Sequence, residues 1–457
     1  HAHIDTGWLW PVRETVRKCA RTFANQLDMM DKYPGYVFGA SQPQHYAFVK
    51  EHYPKLYEKI KQRVAEGRWE LQGGMWVEAD CNLISGESMV RQFLHGKNFY
   101  MDEFGFDVKN LWIPDVFGYS AALPQIIRKS GCDFFLTQKI SWNQFNRFPH
   151  NTFFWEGIDG SEVLTHFPPE DTYNAFVVPE ELVAAQNRFK ESDLLDEFIS
   201  LFGIGDGGGG PKEEYLERAK RLANLEGCPK VKFGRADRFF ERIAACRDKL
   251  PTWSGELYLE LHRGTLTVQA RTKRNNRKLE QLLAATEFLC SMAPRADYPA
   301  EELDKAWKTL LINQFHDILP GSSIHEVYEV TKKEYAEMEA EITALREERL
   351  DALTPAGEGV TVYNTTGFVR SDVVELGDCK AEALQDEAGN IYPVQKTADG
   401  AVAFLNNLPA KGSKTFAVVP AQVSAAPFEI ATDGHKIDTP FYTVTFDEHG
   451  QMTGIFD

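Results

Sequence analysis

The stretch NLWIPDVFGYSAALPQIIRKSGCDFFLT, residues 110–137, decides the fold. It opens on a short apolar run, 110–113, that reads as a strand and stops at Pro114-Asp115, a pair that favours turns. A helical pattern at 123–129 follows, and Gly131 punctuates the way to a second apolar run at 133–137. Strand, helix and strand in so short a span make a β–α–β unit with parallel strands. Asp115 then stands just past the end of a strand, where parallel sheets bind ligands. A carboxylate there must be solvated, paired or metal-bound, because burying it alone is costly. The alternative is an ordinary turn or capping aspartate.

The same alternation extends outward. Towards the N-terminus lie strands at 69–72 and 36–40 and helices near 87–104, over 53–64 and from residue 12 to about 32. In the last of these, Val12, Val16, Cys19, Phe23, Leu27 and Met30 recur every three or four residues. Towards the C-terminus, strands are expected at 152–155, 163–167, 201–204 and 231–233, with helices near 179–200, 211–225 and 236–249. The pattern then changes. Residues 254–353 read as three helices (272–292, 300–315, 324–349) without strands, a small bundle. Residues 354–457 turn to short β-like runs at 360–363, 373–376, 401–405, 415–419 and 442–446 with Gly, Pro and Asn between them, the start of an all-β domain. The expected fold class is therefore α/β over 1–253, a helical middle domain over 254–353 and an incomplete β domain over 354–457. The first residue is His1 and the last hairpin stops at Asp457, so both ends are expected to be cut.

The chain has 457 residues, 43% hydrophobic and 26% charged, which fits a folded globular protein and excludes wholesale disorder. Fifty Lys and Arg against 67 Asp and Glu leave a net charge of −17. That charge argues against nucleic acid and anionic membrane as partners. No apolar run reaches the ~20 residues of a membrane helix. Seven cysteines, odd in number, widely spaced and without a CxxC pair, read as reduced thiols of a cytoplasmic protein. Oligomeric state is left open, a homo-oligomer being compatible with everything above.

Three further constellations carry chemistry. His1-Ala-His3-Ile-Asp5 places alternate side chains on one side of an extended segment, so His3 and Asp5 can share a metal, with His1 a third candidate; the alternative is a pair of surface histidines. Trp8 and Trp10 come next, and exposed aromatics beside polar ligands suit sugar stacking. Gly203-Ile-Gly-Asp206-Gly-Gly-Gly-Gly-Pro211 puts an acid in a glycine-rich turn, which is either a site or a flexible loop; it lacks the Lys-Ser/Thr ending of a phosphate loop. Asn313-Gln-Phe-His316-Asp317-Ile-Leu-Pro-Gly321 ends a helix with a histidine that is either a ligand or one satisfied by the helix dipole.

Taken jointly and in order, HxHxD, WIPDxFG, GxGDGGG and FHDxxxG resemble the family 38 glycoside hydrolases, the retaining α-mannosidases, and the start and the stretch Trp253–Gly264 look most like the cytosolic and bacterial branch. The resemblance implies a distorted β/α barrel-like catalytic domain, a three-helix domain and C-terminal β-sandwich domains. It implies a divalent metal, zinc with cobalt as the other option, held by His3, Asp5, Asp115 and His316. Asp115 becomes also the nucleophile and Asp206 the acid/base. Trp8 would stack on the sugar, and Trp76, Glu78, Asp80, Tyr119, His262, Arg263 and Asp317 would contact the substrate, an α-mannoside oligosaccharide. No neutralising partner for Asp206 is evident, so its carboxyl is expected to be the freer of the two to stay protonated and act as acid. The rival is a metal-dependent amidohydrolase or deacetylase, which also uses HxH at a barrel strand; His95, His150 and His166 lack the pairing that it needs.

Overall fold

The computed structural model describes residues 1–354, 356–420, 429–430 and 434–457. The chain divides into two compact units, His1–Arg346 and Glu347–Asp457.

In the first unit the strands are β1 (Phe38–Ala40), β2 (Trp69–Leu71), β3 (Asn110–Trp112), β4 (Phe134–Leu136), β5 (Thr152–Glu156), β6 (Glu162–His166) and β7 (Thr252–Ser254). The pair β1–β2 is parallel, and β3-β4-β6-β5-β7 form a five-stranded sheet in which β5 against β6 is the antiparallel neighbour. The helices are α1 (Val12–Lys32), α2 (Pro43–His52), α3 (Pro54–Ala65), α4 (Gly86–Phe104), α5 (Leu123–Lys129), α6 (Pro179–Arg188), α7 (Glu213–Arg221), α8 (Ala236–Ala244), α9 (Ala270–Ser291), α10 (Ala300–Asn313) and α11 (His325–Leu353), whose residues from Glu347 onward belong to the second unit. This is a distorted β/α barrel-like arrangement followed by three long helices. Strands β3 and β4 are buried along nearly their whole length, as continuous apolar runs covered on both faces should be. One apolar core joins Leu111, Ile113 and Phe135 of the sheet region to Leu283, Trp307 and Leu310 of α9 and α10. The helices therefore close the side of the sheet region within one unit.

Several expected elements differ. Residues 201–204 and 231–233 form no strand; the first makes only single bridges, because Gly203 turns with φ 123°. The helix expected at 179–200 ends at Arg188. Beyond it Glu191 points back to accept hydrogen bonds from the backbone N–H groups of Asn151 and Thr152, a tertiary clamp that outweighs helical propensity. Helix α2 and strand β7 are not evident in the sequence pattern, the first because polar Gln44 and His45 are among its buried residues and the second because Thr252 and Ser254 are exposed.

In the second unit, the sheets β11-β10-β14-β8 and β12-β13-β9 pack a small core around Leu384, Leu405 and Phe416, where β8 is Val360–Asn364, β9 Arg370–Glu375, β10 Ala383–Gln385, β11 Ile391–Pro393, β12 Gln395–Thr397, β13 Gly400–Leu408 and β14 Gly412–Val419. A further four-stranded sheet contains the hairpin Thr443–Phe446 with Met452–Phe456. All strand pairs of this unit are antiparallel among the described residues.

Candidate active site

The four constellations meet at one place. Asp5 N–H donates to the Asp206 carbonyl at 2.8 Å, and Ile4 bridges Gly207, so the first segment and the glycine-rich loop form one seam. Asp115 lies just beyond β3. His316 lies just beyond α10, and its backbone N–H donates to the Glu78 carbonyl at 3.2 Å while Phe315 bridges Ala79.

Ligand atoms of His3, Asp5, Asp115 and His316 lie within 4.8 Å of one another, and all four residues are buried. His3 Nε2 is 2.9 Å from Asp5 Oδ1. His316 Nε2 is 3.6 Å from Asp5 Oδ1 and 3.8 Å from Asp115 Oδ2. The opposite ring nitrogens face outward: His316 Nδ1 donates to the Glu78 carbonyl at 2.7 Å, and His3 Nδ1 lies 2.9 Å from Glu78 Oε2. A proton on His316 Nδ1 leaves the Nε2 lone pair pointing at the cluster. The 2.9 Å contact of His3 Nε2 with Asp5 Oδ1 lacks hydrogen-bond geometry, and apart from it both Nε2 atoms and Asp5 Oδ1 are buried without a hydrogen-bond partner among the described residues. Orphaned polar atoms converging on one point are unfavourable unless a cation or a proton joins them. Two imidazoles and two carboxylates are a donor set that fits a divalent ion of the zinc type.

The electrostatics agree. Burial disfavours charge on His3, yet Glu78 and Asp5 raise its pKa well above the ordinary value. Burial also opposes the charge on His316, but Asp5, Asp317 and Asp115 lift its pKa to about 9. Against burial, His3 and His316 pull Asp5 down to about 2. A field that charges two buried imidazoles also attracts a metal cation.

Asp115 and Asp206 both line a cavity of about 380 Å³, within the range of small-molecule sites. Trp8, Asp5, His262 and Asp317 line it too. His3 and His316 sit behind this surface. The other expected contacts are not brought to the cavity wall. Trp76 is buried against Phe99, with Lys308 over its ring. Tyr119 is buried, its hydroxyl donating to the Ile113 carbonyl and sharing a hydrogen bond with Thr137. Asp80 caps a turn by accepting from Asn82 and Leu83 N–H. Glu78 acts one layer back, holding His3 through one oxygen and accepting from Ser41 through the other. Arg263 is exposed, over the Phe145 ring.

Asp206 has a neutral partner that the sequence does not reveal: the Tyr173 hydroxyl donates to its Oδ1 at 2.8 Å, and the Tyr173 ring packs edge-on against His3. Its loop is also seated rather than flexible. Gly209 N–H donates to Thr22 Oγ1, Gln26 Nε2 to the Gly209 carbonyl and Arg21 to the Gly207 carbonyl, all onto α1. A Cβ at Gly208 would stand 2.6 Å from Thr22 Oγ1, so only glycine allows this approach. Sequence reasoning misses Lys139. It is buried in the turn Lys139–Trp142, and its Nζ donates to Asp115 Oδ1 at 2.7 Å. Its position just beyond the end of β4, next to β3, is the available signal. His95, His150 and His166 contact Asp304, Glu191 and Thr152 away from the cluster, which leaves a histidine-rich amidohydrolase centre without its ligands.

The model of the glycosyl hydrolases family 38 N-terminal domain matches residues 1–256, and that of the alpha mannosidase middle domain residues 260–353. Human alpha-mannosidase 2C1 is 45% identical over 383 residues, 82% of this chain and 37% of that protein. Alpha-mannosidase G of Dictyostelium discoideum is 50% identical over 331 residues, covering 72% of this chain and 30% of that protein. The chain thus spans roughly a third of the length of these relatives. The crystal structure of an alpha-mannosidase from Enterococcus faecalis V583 shares the fold with a TM-score of 0.78 at 20% identity, covering 100% of this chain and 60% of that one. No helix among the described residues is long and apolar enough to cross a membrane. With a matching model over more than half its length, the chain belongs to glycosyl hydrolase family 38.

Proposed function

We propose that this chain carries the catalytic centre of a metal-dependent retaining α-mannosidase that removes terminal α-mannosyl residues from oligosaccharides. One observation carries the reading: two carboxylates from separate segments, Asp115 and Asp206, face a single cavity that also presents the Trp8 ring. A binding protein needs the ring; it does not need two acids. The names of the relatives support the sugar, and the seven free cysteines support a cytoplasmic setting.

In the first step an Asp115 oxygen bonds to the anomeric carbon as the glycosidic C–O bond breaks, and Asp206 gives its proton to the departing oxygen. In the second, water attacks that carbon, its proton passes to Asp206, and the Asp115 carboxylate leaves with configuration retained. Tyr173 holds Asp206 at its Oδ1 and Lys139 holds Asp115. His3, Asp5, Asp115 and His316 would hold one divalent ion, zinc or cobalt, which when bound supplies Lewis acidity and a site for sugar hydroxyls. Glu78 orients His3, as carboxylates behind metal-bound histidines do.

The test uses full-length protein, with metal analysis beside turnover of p-nitrophenyl α-mannoside. Asp115→Asn should abolish turnover and reduce bound metal together. Full activity in that variant, or an inverted product from the wild type, would refute the mechanism.

A further inference from the structure

We propose that Lys139 is a positioning residue that fixes the Asp115 carboxylate and accelerates its departure in the second chemical step; this rests on the function proposed above. The Lys139 side chain is 3% exposed. Its ammonium lies 2.7 Å from Asp115 Oδ1, 4.0 Å from the Trp142 ring centre and 5.0 Å from that of Phe117. The two rings flank the ammonium and contribute cation–π attraction, and at the edge of the cavity that all three share with Asp115 its hydrogen bond goes to the Asp115 carboxylate. The other Asp115 oxygen, Oδ2, faces His316 Nε2 at 3.8 Å. Lys139 therefore divides the two oxygens of the carboxylate, one towards the ammonium and one towards the metal-ligand cluster.

This arrangement makes the two steps unequal. When Asp115 Oδ bonds to the anomeric carbon the carboxylate becomes a neutral ester. The buried ammonium then loses its counter-charge, and a buried charge without its partner is unfavourable. When water attacks and the C–O(Asp115) bond breaks, both bonding electrons return to Asp115 and the ion pair is restored. Lys139 thus raises the energy of the mannosyl-enzyme relative to the state reached on hydrolysis. It restrains the nucleophile slightly in the first step and assists the leaving carboxylate in the second. Because it acts through Asp115, its effect shows in the partition between steps.

The test compares metal-loaded, full-length wild type, Lys139→Met and Lys139→Arg on an activated aryl α-mannoside, whose first step is fast. Lys139→Met should lower kcat about 10- to 100-fold, as expected for losing a hydrogen bond to a charged group. KM should fall with it, leaving kcat/KM nearly unchanged, and intact-mass spectrometry should find the chain carrying a mannosyl adduct on Asp115. Lys139→Arg should recover most of kcat. A fall in kcat/KM equal to that in kcat, with no adduct, overturns the proposal, as does a Lys139→Arg variant as impaired as Lys139→Met. If Lys139→Met does not fold, Lys139→Gln gives the same readout with a polar side chain. Failure of the wild type itself to turn over the mannoside would refute the functional reading, whereas normal wild-type behaviour with an unchanged kcat in the variant, or with kcat/KM lowered as much as kcat, would refute only the role of Lys139.

Discussion

Replacing Gly208 by alanine tests whether Asp206, the proposed acid/base, is held by the helix beneath its loop. Gly208 has φ 71°, and an added Cβ would lie 2.6 Å from Thr22 Oγ1 and 3.0 Å from Ile4 Cγ1. The left-handed backbone alone costs an alanine about 1–2 kcal/mol. Thr22 cannot simply move aside, because its Oγ1 accepts the Gly209 N–H at 2.9 Å. Losing that hydrogen bond adds about 0.5–1.5 kcal/mol. The variant should therefore lose about 2–3 kcal/mol of stability, read by urea denaturation. Activity should fall further than stability explains. Asp206 is two residues away and its carbonyl accepts from Asp5 N–H, so a shift of the loop reaches both the Asp206 carboxyl and the segment bearing His3 and Asp5. A displacement near 1 Å at a reacting group costs about 100-fold in kcat. Adding Thr22→Ala should relieve the clash without restoring the hydrogen bond, giving a non-additive pair. A Gly208→Ala protein within about 0.5 kcal/mol of wild type, with unaltered kcat, would show that the loop is free of α1 and that the reasoning is wrong.

Asp206→Ala should slow substrates with poor leaving groups far more than activated aryl mannosides, and azide should restore its second step with an α-configured azide product; equal losses on all substrates without rescue would reduce Asp206 to a turn residue. Glu78→Gln should weaken metal binding about 10- to 100-fold, measured by chelator competition, because it leaves His3 without its charged support; unchanged affinity would remove Glu78 from the site. Glu70 carries a pH prediction. Its buried carboxyl caps α8 by accepting from Ala236 and Asp237 N–H, and burial, with the Asp237 charge, raises its pKa from 4.5 to about 7. The folded state therefore binds the proton more tightly than the unfolded chain, so this group's contribution is fully present below pH 4.5 and is lost as pH rises through 7. The decline attributable to it is on the order of 3 kcal/mol. Glu70→Gln should flatten the pH dependence of the urea midpoint between about pH 5 and 8, and a parallel curve for both proteins would contradict this.

The range of the interactions separates the legible part of the structure from the hidden part. Helix α1 and strands β3 and β4 are legible because their apolar patterns repeat locally and their partners only reinforce them. His3, Asp5, Asp115, Asp206 and His316 are legible as strand-end or helix-end residues of chemically able types. The partners of the two acids are not: Lys139 and Tyr173 lie 24 and 33 residues from the groups they hold, and only the sheet topology brings them close. Trp76 and Tyr119 mislead for the opposite reason. They flank motif residues in the chain, but sequence adjacency does not say which face a ring takes, and both turn into the core. Glu78 reads as touching substrate, since nothing in a linear sequence distinguishes a wall from its support.

The seam between Glu78–Asp80 and Phe315–His316 has a kinetic side. Its backbone contacts join residues 238 positions apart, counted from Glu78 to His316. During synthesis, the segments bearing His3, Asp5 and Asp115 leave the ribosome long before His316 does. The α/β sheet can begin to assemble while the proposed ligand set is still a histidine short, and the four-residue cluster closes only when α10 docks. Such long-range closure is slow relative to local helix formation. A nascent chain would therefore expose Asp5 and Asp115 as an open anionic pair for the interval that translation of about 200 residues takes, on the order of 10–40 seconds. In that interval it could hold an ion only weakly, so tight capture of a cation would mark the end of folding rather than nucleate it.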